Sequence, residues 1–281
     1  MPLEAAGPNA AQIDYWNTSA GPSWVQAQES LDGELQPWGL KAMEALGPVA
    51  GERIIDVGCG CGATTLELAR RVGPGGEAFG ADISAPMLAV ARRRAEAAGL
   101  SWARFIQADA QTQAFEPADG VFSRFGVMFF ADPVAAFANL RRALKPGGRI
   151  AFVCWRPFEA NPWMSVPMSK VAALLPEPPP PPAPGAPGPF AFADGERVRG
   201  ILERAGYRQI EIVAHDMKTA WGDLDQSTRT SLSVGPVANA LRLNPHLADK
   251  IAEAVRGALA AYETPEGVRL DSSAWVVRAL A

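Results

Sequence analysis

The sequence predicts an α/β protein built on a mostly parallel sheet with helices on both faces, and three observations carry that prediction. From Glu52 onward, short apolar runs rich in β-branched residues alternate with segments of helical spacing, the pattern of strands joined by crossover helices. The first of these strands runs into a turn holding three glycines, "DVGCGCG", before a helix begins. Carboxylates stand at the ends of the first three strands, Asp56, Asp82 and Asp109, where open α/β sheets hold ligands.

Taken in order, residues Asn9–Leu46 read as helices in short pieces, broken at "SAGPS" and near Pro37, with aromatic weight from Trp16, Trp24 and Trp38. "RIIDVG" is the first strand, and "TTLELARRVG" is a helix stopped by glycine. "EAFGADI" is the second strand; the helix "SAPMLAVARRRAEAAG" follows, with Ser84 expected as its N-cap and Gly99 as its stop. "WARFIQAD" and "GVFSRFG" are the third and fourth strands. A helix over Pro133–Leu144 leads through the turn "KPGG" to the fifth strand, "RIAFVCW".

After Trp155 the rhythm breaks. A short helix near Pro162–Leu175 runs into Pro176–Pro189, which carries nine of the 25 prolines and is expected to be an exposed polyproline loop. "DGERVRGILERAGY" is a helix capped by Asp194, and "RQIEIVAH" is the sixth strand. Two helices joined at "NPH" fill Leu224–Tyr262, and "GVRLDSSAWVVRAL" closes the chain as the seventh strand. This divides one structural domain into a helical cover at 1–50, a ligand-binding core at 51–156, an insertion with the proline-rich loop and a helix at 157–206, and the last two strands with a helical cap at 207–281.

Composition narrows the function. With 281 residues, 48% hydrophobic and 20% charged, the chain can bury a full core and is not disordered overall. The net charge is −4 with no basic stripe, which argues against a nucleic-acid partner; Arg92–Arg94 reads as a solvated helix face. No apolar run reaches the ~18 residues that suggest a transmembrane segment, and "MPLEAAGPNAAQIDYW" lacks the charge and apolar regions of a secretion signal. Three cysteines give no disulfide framework, so a cytoplasmic protein with reduced thiols is expected. Cys59 and Cys61 form C-x-C without a second pair or a nearby histidine, so no metal site is expected. Cys154, in a buried strand, reads as a small hydrophobe.

The glycine turn alone is ambiguous. Gly58-x-Gly60-x-x-Ala63 also fits a dinucleotide fingerprint, and Asp82, 20 residues after Gly62, suits a nicotinamide or an adenosyl ribose. Asp56 argues against a pyrophosphate, which a carboxylate beside it would repel, and for a ligand bearing an ammonium. Asp109, at the third strand's tip, is placed to accept from an adenine amine. The three carboxylates describe a ligand with an amine, a ribose diol and an adenine, and no phosphate. A nicotinamide-dependent oxidoreductase remains the alternative from another class.

Four stretches in order, "IIDVGCGCG", "GADIS", "QADAQ" and "LKPGGRI", resemble the class I S-adenosylmethionine-dependent methyltransferases. Within them the chain looks most like the small-molecule branch that includes the ubiquinone/menaquinone-type C-methyltransferases. The resemblance is strong over Gly51–Trp155 and looser elsewhere. It implies a Rossmann-like seven-stranded sheet, an N-terminal helical cover and a helical insertion between strands six and seven. It also implies S-adenosyl-L-methionine as cofactor and methylation of a small hydrophobic or aromatic molecule at oxygen, nitrogen or carbon.

Carried over by position, Gly58, Gly60 and Gly62, with Cys59 between them, approach the cofactor's methionine moiety, and Asp56 orients its amino end. Asp82 takes the ribose hydroxyls; Ile83 and Met87 flank the adenine; Asp109 and the Ala110 N–H face its polar edge. Ser123 and Arg124 supply contacts at the end of the fourth strand, and Tyr15 and Trp16 fold over from the N-terminal cover. Phe125, Met128, Phe129, Trp155 and Trp163 are expected to line the acceptor pocket, and Arg124 or Arg156 to meet an anionic group on the acceptor. No triad is needed for displacement at a sulfonium, whose rate comes from alignment and exclusion of water. The histidines are His215 and His246; each reads first as a surface or capping residue, and His215, ahead of His246, is the candidate for a general base. A catalytically silent S-adenosylmethionine-binding regulatory protein is the second alternative. The oligomeric state, monomer or homodimer, stays open.

Overall fold

A computed structural model describes residues 3–177, 183 and 185–281. Much of the run expected as polyproline, residues 178–182 and 184, lies outside the described residues. In chain order the helices are α1 (Ala10–Thr18), α2 (Ala20–Gln26), α3 (Gln28–Leu46), α4 (Ala63–Val72), α5 (Ala85–Ala97), α6 (Pro133–Ala143), α7 (Pro162–Ala172), α8 (Gly195–Arg204), α9 (Leu224–Ser233), α10 (Gly235–Leu243) and α11 (Ala248–Ala260). The strands are β1 (Arg53–Val57), β2 (Glu77–Asp82), β3 (Ala103–Gln107), β4 (Ala118–Arg124), β5 (Leu144–Trp155), β6 (Arg208–Ala220), the two-residue β7 (Glu263–Thr264) and β8 (Gly267–Leu280).

The sheet runs β3-β2-β1-β4-β5-β8-β6, with β7 pairing only β8. Strands one to five pair in parallel, and β8 is antiparallel to both β5 and β6. The chain thus builds outward from β1 to β3 and then crosses to the other side of β1. That reversal, between β1 and β4, opens a crevice at the strands' carboxyl ends. "KPGG" loops out of β5, because Ala118 pairs with Leu144 and Gly120 already with Arg149.

Both faces of the sheet are covered. On one side Phe137 of α6 meets Phe152 of β5 and Tyr207; on the other Trp38 of α3 meets Trp155, which has the opposite parity on the same strand. The buried stripe of α3, Leu31, Leu35, Trp38, Ala42, Met43 and Leu46, keeps helical spacing over its whole length. Each such leucine contributes ~1.5–3 kcal/mol by leaving water. A second apolar cluster lies apart: Met168 and Val171 of α7, Val237 of α10, and Ile251, Val255 and Leu259 of α11 close around Trp221 and Leu270. It forms the core of a cap beside the crevice.

Three local expectations change. Pro37 does not break α3; it sits on the exposed face, where water can take the Gly33 carbonyl that its missing N–H leaves free. The insertion after β6 holds three helices, not two, because Gly235, at φ +78°, and Pro236 restart the chain after Ser233. Ser84 occupies the N-cap position of α5 but does not cap it; its hydroxyl donates to Trp16 O at 2.8 Å and ties down the N-terminal cover. Gly21 of α2 packs so close there that a Cβ would lie 2.5 Å from that hydroxyl.

Glu34 of α3 is buried at the seam between cover and cap. Ser30 donates to its Oε1 at 2.7 Å, Gln226 of α9 donates to Ser30, and Oε2 has no partner among the described residues. Burial raises its pKa from 4.5 to about 8, the Ser30 bond opposing. The folded chain therefore keeps a proton that the unfolded chain releases. The stability this adds is complete below about pH 4.5 and is lost as pH rises to about 8. Urea melts at about pH 5 and about pH 8.5 are expected to show a loss on the order of 2 kcal/mol that Glu34→Gln removes. The same pH dependence in both chains would mean that Glu34 is ionised in the fold.

Candidate functional site

The crevice at the β1/β4 reversal is a cavity of about 180 Å³. Its floor is the glycine turn. Gly58 and Cys59 both donate to Ala81 O, and Gly62 N donates to Cys59 O before opening α4. Gly58, Gly60 and Gly62 have φ of +69°, +54° and +83°, a region open to glycine at little cost. Their missing side chains also make room for the protein itself: a Cβ on Gly58 would stand 2.7 Å from Gly126 Cα, and one on Gly60 2.8 Å from Met87 Cε.

The three carboxylates behave differently. Asp56 is wholly buried and off the cavity wall; its Oδ2 accepts from the hydroxyls of Thr64 and Thr65 at 2.7 and 2.6 Å, while Oδ1 has no partner among the described residues. Burial raises its pKa to about 6 against those two bonds. It clamps the start of α4 beneath the turn. Asp82 is on the wall: Oδ2 accepts from Gly60 N and Oδ1 from Ser84 N, each at 2.8 Å, and burial raises its pKa. Asp109 is on the wall too, and its Oδ1 accepts from Gln111 N and from Asn9 Nδ2 at 2.8 Å. Asn9 also takes Ala131 N through its Oδ1, so it fastens the start of the chain across the cavity.

The opposite wall is aromatic. Phe125 adopts φ +60° at the end of β4, rare for a bulky residue, and donates its N–H to Val153 O. That turn lays its ring on Trp155, centroids 3.9 Å apart and 13° from parallel. Trp163 follows at 5.1 Å from Trp155, and Trp221 stacks on Trp163 at 4.4 Å and 17°. The N–H groups of Trp163 and Trp221 are taken by Asn161 Oδ1 and Thr219 Oγ1. Trp24, Phe129 and Trp16 close the cover side, Phe129 meeting Trp16 edge to face.

Of the residues expected at the cofactor, Gly58, Cys59, Gly60, Asp82, Ile83, Met87, Asp109, Ala110, Arg124 and Trp16 lie on the wall. Asp56, Gly62, Ser123 and Tyr15 do not. Ser123 is spent on the fold, donating to Val57 O and accepting from Gly126 N, and Tyr15 faces solvent. Phe125, Met128, Phe129, Trp155 and Trp163 all line the cavity. His215 does not: it sits edge to face with Trp38, which separates it from Trp155. His246 is exposed, and Arg156 is engaged with Asp216 and Ser273.

The proline-rich segment ends at the site instead of in solvent. Gly188 donates to Met128 O, Pro189 lines the cavity, and Phe190 and Phe192 anchor it in the core. Sequence reasoning missed Asn9, Asp32 and Trp221 on this wall. Asn9 and Asp32 fall within the stretch read only as helices, and Trp221 lies between the expected sixth strand and the helices from Leu224.

A family model described as "Methyltransferase domain" matches residues 54–148. The demethylmenaquinone methyltransferase of Thermus thermophilus is 42% identical over 122 residues, 43% of this chain and 54% of that protein. The ubiquinone/menaquinone biosynthesis C-methyltransferase UbiE of Stutzerimonas stutzeri is 30% identical over 185 residues, 62% of this chain and 72% of that one. This chain spans about half the length of the first curated relatives it matches. Among solved structures, the YcgJ protein of Bacillus subtilis shares the fold, with a TM-score of 0.57 at 18% identity over 87% of this chain and 97% of that one. Four ordered motifs, carboxylates on the wall of a crevice at the β1/β4 reversal, and these relatives agree: the chain belongs to the class I S-adenosylmethionine-dependent methyltransferases, in the branch of the ubiquinone/menaquinone C-methyltransferases.

Proposed function

We propose that the chain is an enzyme that methylates a small hydrophobic or aromatic molecule, with S-adenosylmethionine as donor. The observation that carries this reading is one continuous cavity, with cofactor-type residues on one wall and stacked aromatic rings on the other. A silent binding protein has no use for that second wall.

The cofactor side suits an adenosyl group. Asp82 offers a carboxylate to a diol; Ile83 and Met87 offer apolar contact to a flat ring. Asp109 Oδ2 accepts from no described residue, which leaves it for an adenine amine. Bound there, the cofactor supplies an electrophilic methyl group. The chain's own part is alignment and dryness. Phe125, Trp155, Trp163 and Trp221 hold a flat acceptor by its faces, and the α1–α3 cover with the α9–α11 cap excludes water.

Among the described residues, the acceptor wall, Phe125, Met128, Phe129, Trp155, Trp163, Met164, Pro189, Trp221, Val234 and Gly235, carries no side chain that takes a proton. A base-free wall favours an acceptor that is already nucleophilic, such as an electron-rich ring carbon or a phenolate. The relatives named for demethylmenaquinone and for C-methylation fit the first of these.

Two measurements test the reading. Calorimetry is expected to show one S-adenosylhomocysteine bound per chain. Labelled methyl from S-adenosylmethionine is expected in a solvent-extractable aromatic product when hydroxynaphthalenes and quinols are supplied. Absence of any S-adenosylhomocysteine binding would overturn the proposal.

A further inference from the structure

A buried polar chain runs from the cover, through the cap, to the acceptor wall. Its first member is Glu34, 5% exposed, one turn after Ser30 on α3. Ser30 Oγ donates to Glu34 Oε1 at 2.7 Å. Across the seam the same hydroxyl accepts from Gln226 Nε2 at 2.9 Å and lies 3.3 Å from Thr230 Oγ1, both on α9. Also on α9, Ser227 donates to Trp221 O at 2.6 Å. Gly222 makes room for this joint: at φ +75° it carries no Cβ to overlap the Gln226 amide. Trp221 stacks on Trp163 and gives its N–H to Thr219 Oγ1, so its ring is held in one orientation. Ser227, Thr230, Trp163 and Trp221 share the lining of a cavity of about 20 Å³.

A carboxylate buried this deeply needs a cation or several donors. Among the described residues Glu34 has neither. Ser30 is its one donor, Gln226 and Thr230 across the seam are uncharged, and no charged group of α3, α9 or the sheet acts on it. The neutral acid suits this seam, whereas the anion calls for water, which reaches it by parting α3 from α9. Burial accordingly raises its pKa to about 8, so the seam loosens as pH rises from about 4.5 to 8.

We infer that Glu34 is a positioning residue of the acceptor site: as a neutral acid it fixes Ser30, Ser30 fixes α9, and α9 fixes Trp221 against Trp163. The inference rests on reading the aromatic wall as the acceptor's. A charge at Glu34 thereby reaches a ring that it does not touch. The cofactor side stands outside this chain of contacts, because Gly60, Ser84, Gln111 and Asn9 hold Asp82 and Asp109.

Hydrogen exchange followed by mass spectrometry tests this without an acceptor. After correction for the intrinsic pH dependence of exchange, α9 and Trp221 of the wild-type chain are expected to open roughly tenfold more readily at pH 8.5 than at pH 6.5, with α4 unchanged. Glu34→Gln is expected to keep the protection seen at pH 6.5 at both pH values, and Ser30→Ala to lose it at both. The same pH response in Glu34→Gln as in the wild-type chain, or a response of α4 as large as that of α9, would overturn the inference. Calorimetry at pH 6.5 with 2-naphthol, S-adenosylhomocysteine being bound first, reads the site itself. Ser30→Ala is expected to weaken 2-naphthol about threefold to tenfold and S-adenosylhomocysteine less than twofold; equal loss of both would overturn the inference. A wild-type chain that binds S-adenosylhomocysteine but no 2-naphthol would instead remove the reading of the aromatic wall as the acceptor's.

Discussion

Asp82→Ala is expected to weaken S-adenosylmethionine and S-adenosylhomocysteine binding by ~100-fold or more, measured by calorimetry. Two effects add. The carboxylate is the group on the wall suited to a vicinal diol, and two charge-assisted hydrogen bonds to it are worth ~1.5–3 kcal/mol each. It also accepts from Gly60 N and Ser84 N, so alanine leaves two buried donors unpaired and loosens the turn that forms the cavity floor. Each orphaned donor costs ~1–3 kcal/mol, which a urea melt reads separately from binding. Because 5′-methylthioadenosine keeps the ribose and lacks only the amino-acid part of the cofactor, it is expected to weaken as much as S-adenosylhomocysteine. An affinity within threefold of wild type would show that Asp82 serves the turn alone.

The contrast between Asp82 and Asp56 shows how far the sequence could be read. Strand ends, the turn and the order of carboxylates were legible because they depend on local spacing, and Asp82 and Asp109 lie on the cavity wall. Which way each carboxylate faces was not, because near neighbours decide it: Thr64 and Thr65 turn Asp56 inward. The cover was least legible. Asn9 reaches Asp109 across 100 residues of sequence, and Ser84 gives its hydroxyl to Trp16 O instead of its own helix. Asp32 looks like any charged helical residue until Arg94 and Arg124 arrive from two other elements. Period and propensity carry no record of such partners.

Gly58→Ala is expected to be the most damaging of the turn substitutions, destabilising the chain by on the order of 3 kcal/mol or more in urea melts. Its φ of +69° costs a side chain ~1–2 kcal/mol, and its Cβ would stand 2.7 Å from Gly126 Cα, a backbone atom that cannot swing away. Gly126→Ala probes the same gap from the other side. With φ −83° it carries no such strain, but its Cβ would meet Val57 O at 2.7 Å and Gly58 Cα at 2.8 Å. The two variants share the clash between Gly58 and Gly126; Gly58→Ala adds the left-handed backbone, and Gly126→Ala adds the contact with Val57 O. The double variant is expected to cost less than the sum, since one displacement of β1 from β4 relieves both clashes. Gly60→Ala should be milder despite its φ of +54°, because its nearest neighbour is the mobile end of Met87. Equal effects at Gly58 and Gly60 would mean that turn conformation alone selects the glycines. The expected ranking instead assigns Gly58 to the contact between two strand tips, the joint on which the cavity floor rests.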